Sequence, residues 1–216
     1  MEPSDERAGI GPRHVLGLDI GGTKLAAGVV DHDGTVRSFL VTPTRKEEGP
    51  GPVLSRLFAL GAKALAESTV DSAALAGVGI GCGGPLDPGV GTVHEPPHLP
   101  GWRHVPVASK VRAAFGVPAV LDNDAAAAAL AEHRFGAGRG LAHLVYLTIS
   151  TGVGGGVIID GTPYRGATGN AAELGHLTVR RGGRLCGCGR SGCLEAYVSG
   201  SAIAARAREA LDDGRG

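Results

Sequence analysis

The chain has 216 residues, 43% of them hydrophobic and 19% charged, and its 21 acidic side chains balance its 21 basic ones. That length and hydrophobic content are enough to bury a normal core, which indicates a globular protein. The neutral balance and the lack of Lys/Arg runs argue against a nucleic-acid partner and against an anionic membrane surface. No apolar stretch has the length of a signal peptide or a bilayer span, so we expect a cytoplasmic protein.

The first part of the chain alternates strand and helix patterns. Residues 1–14 are polar and contain Pro and Gly, which predicts a disordered tail. Three apolar runs joined by short turns predict antiparallel strands at 15–20, 25–30 and 36–41. The next predicted elements are a helix at 53–68, a strand at 75–81, a long Pro/Gly-rich segment at 83–101, a helix at 107–115, a strand at 118–121 and an Ala-rich helix at 125–135. Because a connection as long as 83–101 is uncommon, we expect it to be functional.

A second copy of the opening pattern begins at residue 144. A strand at 144–149, a glycine turn at 150–156 and a strand at 157–160 repeat the first hairpin about 130 residues later. Two such hairpins predict a duplicated α/β unit with both glycine turns facing one cleft. We therefore predict an N-terminal lobe at 15–137 and a C-terminal lobe at 138–216. The second lobe is expected to be incomplete, because only a cysteine segment and a helix at 199–211 follow its hairpin.

The two glycine turns are candidates for phosphate binding. Glycine lets backbone N–H groups approach an anion, and the Thr hydroxyl and the Lys of the first turn add donors. A plain tight turn is the alternative for either turn alone, but two of the same kind favour a phosphate chain. The carboxylate of Asp19 follows a buried strand and needs a partner there, for which Mg²⁺ is suited. The predicted phosphate-binding residues are Asp19, Gly21, Gly22, Thr23, Lys24, Thr151, Gly152 and Gly154.

Two familiar nucleotide motifs can be set aside. Residues 79–84 match the dinucleotide pattern G-x-G-x-x-G, but the Pro-Leu-Asp-Pro-Gly that follows cannot begin the helix that such a site requires. No Walker-type sequence occurs in the chain. The glycines at 79–84 therefore indicate a loop whose backbone approaches the cleft.

Asp122, Asn123 and Asp124 stand between a short apolar strand and the Ala-rich helix. Helix capping alone accounts for one such residue, because Asp and Asn are strong N-cap residues. Three in a row exceed that need. A carboxylate here can accept the proton of an alcohol that attacks a phosphoryl group, and the amide can bind sugar hydroxyls.

One imidazole and three thiols lie within 18 residues, at His176, Cys186, Cys188 and Cys193. This is the ligand set of a closed tetrahedral zinc site, which would be structural because no position is left for water. The alternative is three cysteines used as small core residues. Glu173 and Glu195 flank the cluster, and we expect a metal to fix both of them for contact with a substrate.

Together these motifs resemble the ROK family of repressors and sugar kinases. The resemblance is carried by Leu-Asp-Ile-Gly-Gly-Thr-Lys at 18–24, Leu-Asp-Asn-Asp-Ala at 121–125, Glu-Leu-Gly-His at 173–176 and Cys-Gly-Cys-Gly-Arg-Ser-Gly-Cys-Leu-Glu at 186–195. It implies an α/β, actin-like and ribonuclease-H-like two-lobed fold with the second lobe incomplete. It also implies Mg²⁺- and ATP-dependent phosphorylation of the 6-hydroxyl of a hexose, with Asp124 as the base. The implied sugar contacts are Gly84, Asn123, Asp124, Glu173, His176 and Glu195, and His176 is also a zinc ligand.

Two departures from the family pattern matter. His98 stands where many relatives have a sugar-binding Asn, so the hexose stays open between glucose, mannose and an N-acetylated sugar. The segment expected to hold adenosine is absent, which predicts a truncated chain and makes a catalytically impaired sugar-binding fragment the alternative. The phosphate donor stays open between ATP and polyphosphate. A family repressor is disfavoured, since the 14 residues before the first strand are too few for a helix-turn-helix. The resemblance also implies a homodimer.

Overall fold

The computed structural model describes residues 14–214 and divides into two compact units, one ending at Asp124 and the next beginning at Ala125. The lobe boundary predicted after residue 137 lies one helix later than this division. Of the predicted tail, residues 1–13 lie outside the described residues, whereas His14 begins the first strand.

Most of the predicted elements are present, several with shifted ends. The strands are β1 His14–Ile20, β2 Lys24–Val30, β3 Val36–Pro43, β4 Leu75–Cys82, β5 Leu86–Asp87, β6 Thr92–Val93, β7 Ala119–Asn123, β8 Leu144–Ile149, β9 Val153–Ile159 and β10 Thr162–Pro163. The helices are α1 Pro50–Ser68, α2 Val107–Phe115, α3 Asp124–Phe135, α4 Glu195–Val198 and α5 Gly200–Asp212. None of these described helices is both long enough and apolar enough to cross a membrane.

The first unit is built on a five-stranded sheet with the order β3-β2-β1-β4-β7. The first three strands pair antiparallel, as predicted, whereas β4 pairs parallel to β1 and β7 pairs parallel to β4. Because parallel strands point the same way, the carboxyl ends of β1, β4 and β7 lie at one edge of the sheet. This edge carries the candidate site of the first unit.

Helix α1 covers β1, β2 and β3 with the face formed by Val53, Leu54, Leu57 and Ala64, all of them buried. Gly61 lies on the same face, where a Cβ would be 2.9 Å from the ring of Phe115 and 3.2 Å from a methyl of Leu18. The absence of a side chain at this position therefore lets α1 pack closely on the sheet.

The segment predicted as one long connection at 83–101 contains structure of its own. It holds the hairpin β5–β6 and is anchored by Leu99, and Trp102 just beyond it is also fully buried. Burying these two large side chains stabilises a segment whose Pro and Gly content favours no regular element.

The second unit contains the three-stranded sheet β10-β9-β8. The strand predicted at 157–160 is wrong in its start, because β9 begins at Val153 and the turn is confined to Ser150–Gly152. Gly155 and Gly156 are strand residues with little space beside them. A Cβ on Gly156 would lie 2.5 Å from the Cβ of Ala129 in α3, and one on Gly155 would lie 2.6 Å from the carbonyl oxygen of Ala172. These glycines therefore serve close packing of β9.

We expect the sheet of the first unit to tolerate loss of side-chain volume on its exposed positions only. Val29→Ala removes two methyl groups from a fully buried position of β2 and should lower the free energy of unfolding by about 2 kcal/mol. Val120→Ala makes the same change in β7 at a position that is 67% exposed, and should cost under about 0.5 kcal/mol. Urea unfolding measures both; equal losses would contradict the assigned core.

Candidate functional site

The polar residues of the first unit gather where the three parallel strands end. In register, Asp19 of β1 pairs with Gly81 of β4, and Gly81 pairs with Asp122 of β7. Asn123 ends β7 and Asp124 begins α3, so the predicted base stands at the junction between strand and helix. Ligands of open α/β sheets bind at such carboxyl ends.

Gly81 separates the two carboxylates Asp19 and Asp124. A Cβ added to Gly81 would lie 3.4 Å from Oδ1 of Asp19 and 3.6 Å from the Cα of Asp124. The missing side chain leaves the space between the two acidic residues open. A group held there would contact both the strand end of β1 and the start of α3.

The surroundings of Asp19 favour its protonated form. Although Asp19 reaches solvent, protein atoms fill most of the space around its carboxylate, and this desolvation raises its pKa to about 6. The negative charge of Asp124 raises the pKa further in the same direction. A cation bound at this position would oppose both the desolvation and the charge of Asp124, because its positive charge stabilises the ionised carboxylate and lowers the pKa.

Thr44, which is fully buried, supports the first glycine turn through hydrogen bonds. The hydroxyl of Thr44 donates to the carbonyl oxygen of Gly21 at 2.7 Å, and its backbone N–H donates to the carbonyl oxygen of Thr23 at 3.0 Å. Arg56 donates in turn to the carbonyl oxygen of Thr44 at 2.7 Å. Thr23 and Lys24 are exposed on the turn that this network supports, and Gly21 and Gly22 are half-buried.

His98 lies against the glycines of two different loops. A Cβ on Gly22 would be 3.1 Å from the Cβ of His98, and a Cβ on Gly83 would be 2.6 Å from Cε1 of its ring. Burial lowers the pKa of His98, and the charge of Asp124 partly opposes that shift. The residue predicted to replace a sugar-binding Asn thus touches the first glycine turn. Gly84, the other predicted contact in this segment, is half-buried just after β4.

The second glycine turn is held by Glu195 and by the start of α5. Oε2 of Glu195 accepts the backbone N–H of Val153 at 2.8 Å, and a Cβ on Gly152 would lie 2.7 Å from the same oxygen. The hydroxyl of Ser201 donates to the carbonyl oxygen of Thr151 at 2.7 Å. Thr151 is exposed here, whereas Gly154 lies inside β9, where a Cβ would be 3.2 Å from the Cβ of Ala125. Packing alone therefore accounts for Gly154.

The four predicted metal ligands converge. The ligand atoms of His176, Cys186, Cys188 and Cys193 all lie within 4.8 Å of one another. Sγ of Cys186 is 3.6 Å from Nδ1 of His176, and the sulfurs of Cys188 and Cys193 are 3.7 Å apart. Tetrahedral zinc with bonds of about 2.3 Å to sulfur places its ligands about 3.7 Å apart. The spacing therefore fits a zinc ion and is too wide for a disulfide.

Both predicted glutamates lie beside the four candidate metal ligands. Nδ1 of His176 faces Cys186, while its Nε2 is 4.0 Å from Oε2 of Glu173. Glu195 has one carboxylate oxygen 3.7 Å from the sulfur of Cys186 and the other on the second glycine turn. The hydrogen bond from the backbone of Arg190 lowers the pKa of Cys188 to about 6, which favours the thiolate that a metal binds.

The predicted residues thus form one group in each unit. The first unit brings together Asp19, the first glycine turn, Gly84, His98, Asn123 and Asp124; the second brings together the second glycine turn, Glu173, His176, Glu195 and the cysteines. A surface cavity of about 540 Å³, lined by Arg184, Arg206 and Glu209 among others, contains none of these residues.

Comparison with known proteins identifies the family. The sequence profile of the ROK family matches residues 15–215. This chain belongs to the ROK family. It is 41% identical to a glucokinase of Streptomyces coelicolor over 194 residues, which is 90% of this chain and 59% of that relative. The predicted resemblance is therefore confirmed.

Solved structures of the family show the same fold. A ROK hexokinase from Thermus thermophilus superposes with a TM-score of 0.78 at 44% identity, covering 92% of this chain and 64% of that one. A ROK glucokinase from Streptomyces griseus in complex with glucose and AMPPNP gives 0.80 at 41% identity, covering 94% and 62%. The predicted actin-like α/β fold is confirmed. The chain spans about three fifths of the length of these relatives.

Sequence reasoning missed two kinds of site residue. Thr44 and Arg56 support the first glycine turn, but both lie well beyond that turn in the sequence. No local motif links them to it. The packing role of Gly155 and Gly156 was also missed, because glycines in a turn and glycines under a helix look the same in a sequence.

The raised pKa of Asp19 predicts a pH-dependent cost of folding. The folded protein favours the protonated form of Asp19 over the ionised form. The stability that protonated Asp19 contributes is therefore complete below about pH 4 and is lost as the pH rises through about 6. Asp19→Asn should therefore raise the melting temperature relative to the unmutated chain more at pH 8 than at pH 5, with no Mg²⁺ or nucleotide present. Asp33→Asn is the control, because the N–H of Thr35 lowers the pKa of Asp33 and no change of its cost is expected over that range. A constant difference for Asp19→Asn would contradict the assignment.

Proposed function

We propose that this chain carries the sugar- and phosphate-binding residues of an ATP-dependent hexose 6-kinase of the glucokinase type. The observation that supports this most directly is the placement of Asp19 and Asp124 on either side of Gly81, at the carboxyl ends of the parallel strands. Membership of the ROK family and similarity to glucokinases support the same reaction. We also propose that the protein acts in the cytoplasm.

Asp124 acts as the base of this proposed reaction. Its carboxylate accepts the proton of the 6-hydroxyl as that oxygen attacks the γ-phosphoryl group. Asp19 holds Mg²⁺, which when bound supplies positive charge to the phosphate oxygens. The phosphates are held by backbone N–H groups of the two glycine turns, with Thr23, Lys24 and Thr151 as added donors.

Six of the predicted residues are the proposed hexose contacts. Asn123, His98 and the backbone of Gly84 belong to the first unit, and Glu173, His176 and Glu195 belong to the second. Carboxylate, amide and imidazole groups suit sugar hydroxyls because each can accept or donate a hydrogen bond. Exclusion of water by the bound sugar favours transfer to the sugar over hydrolysis.

The cysteine cluster is proposed to hold a structural zinc ion. Four protein ligands complete a tetrahedron, so no position is left for a substrate oxygen. With Nδ1 of His176 on the metal, Nε2 is left for a hydrogen bond on the side of Glu173. Zinc would in this way fix the orientation of a sugar-binding imidazole.

We expect one zinc ion per chain. Cys193→Ser should lose the metal and lower the melting temperature of the chain, because zinc binding at a closed site is coupled to folding. Cys82→Ser is the matched control: it changes a buried cysteine of the first unit that is outside the cluster, and should keep one zinc. Metal content by mass spectrometry and thermal unfolding are measured on the same samples. Full zinc content in Cys193→Ser would contradict the site.

The kinase proposal is tested by turnover with a hexose panel, ATP or polyphosphate, and Mg²⁺. Asp124→Asn should lower kcat by about 10²- to 10⁴-fold and leave the sugar affinity within a few-fold, because the lost group acts on the transferred proton. Asp122→Asn, two residues away on β7, is the control and should keep kcat within a few-fold. Undiminished turnover in Asp124→Asn would remove Asp124 as the base.

A sugar-binding chain without phosphoryl transfer is the second candidate, because the proposed hexose contacts all lie within the 59% to 64% of the relatives' length that this chain spans. Calorimetry with glucose, mannose and N-acetylmannosamine separates the two. Sugar affinity without turnover supports this second candidate. Absence of both turnover and sugar affinity in zinc-loaded protein would overturn both.

A further inference from the structure

Two histidines outside the predicted site face each other at the base of the segment that carries His98. Nδ1 of His94 lies 2.8 Å from Nδ1 of His104, and the ring centroids are 4.8 Å apart with an interplanar angle of 70°. In the metal-free protein one ring N–H donates to the other ring nitrogen. The contact brings together two imidazole nitrogens, which are common metal ligands, and the side chain of His104 is exposed to solvent.

The backbone holds this pair in place independently of the rings. Val93 and Val105 exchange two hydrogen bonds, of 2.9 and 3.0 Å, directly before His94 and after His104. His94 also donates its N–H to the carbonyl oxygen of Pro85 at 2.9 Å. His104 has a φ of 48°, a left-handed conformation that is uncommon outside glycine. The backbone therefore fixes both Cα positions before any ligand binds, which lowers the entropic cost of binding.

The distance between the nitrogens is compatible with one coordination geometry. Two ligands at adjacent corners of a square plane, with bonds of about 2.0 Å, lie about 2.8 Å apart, whereas tetrahedral ligands lie about 3.3 Å apart. The observed 2.8 Å is the length of the hydrogen bond in the metal-free protein, and the square arrangement would keep the two nitrogens at the same spacing. Nitrogen ligands in that arrangement are preferred by Cu²⁺ and Ni²⁺.

We propose that His94 and His104 form a binding site for Cu²⁺ or Ni²⁺, with water in the remaining positions. The site is distinct from the cysteine cluster, which belongs to the second unit. A metal at this point replaces the shared proton and ties the two ends of the 95–103 segment together. That segment holds His98 against Gly22 and Gly83, so the metal restrains the side chain beside the first glycine turn. The metal affinity itself does not depend on the proposed kinase activity.

Trp102 provides a local reporter, because it is the single tryptophan of the chain and lies two residues before His104. Titration of zinc-loaded protein with CuCl₂ should quench its fluorescence, and calorimetry with NiCl₂ should give one site per chain. His94→Gln and His104→Gln should each weaken Ni²⁺ binding at least tenfold and abolish the saturable quenching. His32→Gln changes an exposed histidine elsewhere in the first unit and should bind as the unmutated chain does.

A measurement on the unmutated chain guards against variants that fail to fold. Electron paramagnetic resonance of the chain with one equivalent of Cu²⁺ should show nitrogen hyperfine splitting from two imidazoles. A copper spectrum typical of thiolate ligation, without splitting from two imidazoles, together with Ni²⁺ affinity unchanged in His94→Gln and His104→Gln, would place the ion at the cysteines and overturn the proposal. No saturable Ni²⁺ or Cu²⁺ binding to the unmutated chain would overturn it as well.

Discussion

The close approach of two carboxylates at the ends of parallel strands is the constraint on which the first unit's site depends. Asp19 and Asp124 flank the same space beside Gly81, on the strand between β1 and β7, where a Cβ would be in van der Waals contact with both residues. The cost of this arrangement is visible in the raised pKa of Asp19, which reflects burial first and the charge of Asp124 second. Carboxylates placed at such a cost are typical of sites that bind a cation or handle a proton.

The two glycine turns resemble each other in sequence, but different interactions support them. The first is held through its carbonyl oxygens by the buried Thr44, which Arg56 holds in turn. In the second turn, the N–H of Val153 donates to Glu195, whose other carboxylate oxygen faces the sulfur of Cys186. A structural zinc ion would therefore act on the second turn through one side chain, whereas the first turn depends on the hydrogen bonds of Thr44 and Arg56.

Four of the eight histidines of this chain lie in three separate settings near the candidate sites. His98 packs between two glycines close to Asp124, His176 turns one nitrogen toward the cysteines, and His94 meets His104 at the base of the segment carrying His98. The 83–101 segment is anchored by large buried side chains, and the contact of His94 with His104 joins the two ends of residues 95–103, so the length of the segment does not imply loose structure. This is the physical reason that a Pro/Gly-rich stretch can present a side chain to a site.

The sequence by itself determined the family, most strands and helices of the first unit, and the candidate metal ligands, because each is encoded by neighbouring residues. The turn Gly21–Lys24, the Asp122–Asp124 triplet and the cysteines all lie within short motifs whose chemistry does not depend on distant residues. Only the tertiary structure decided the pairing of β1 with β4 and β7, the support of a turn by Thr44 and the meeting of His94 with His104. The same is true of Gly155 and Gly156, which were predicted as part of a turn and lie in β9 against their neighbours. These contacts join residues that are distant in the sequence. Periodicity along the sequence carries no information about which distant residues meet in space.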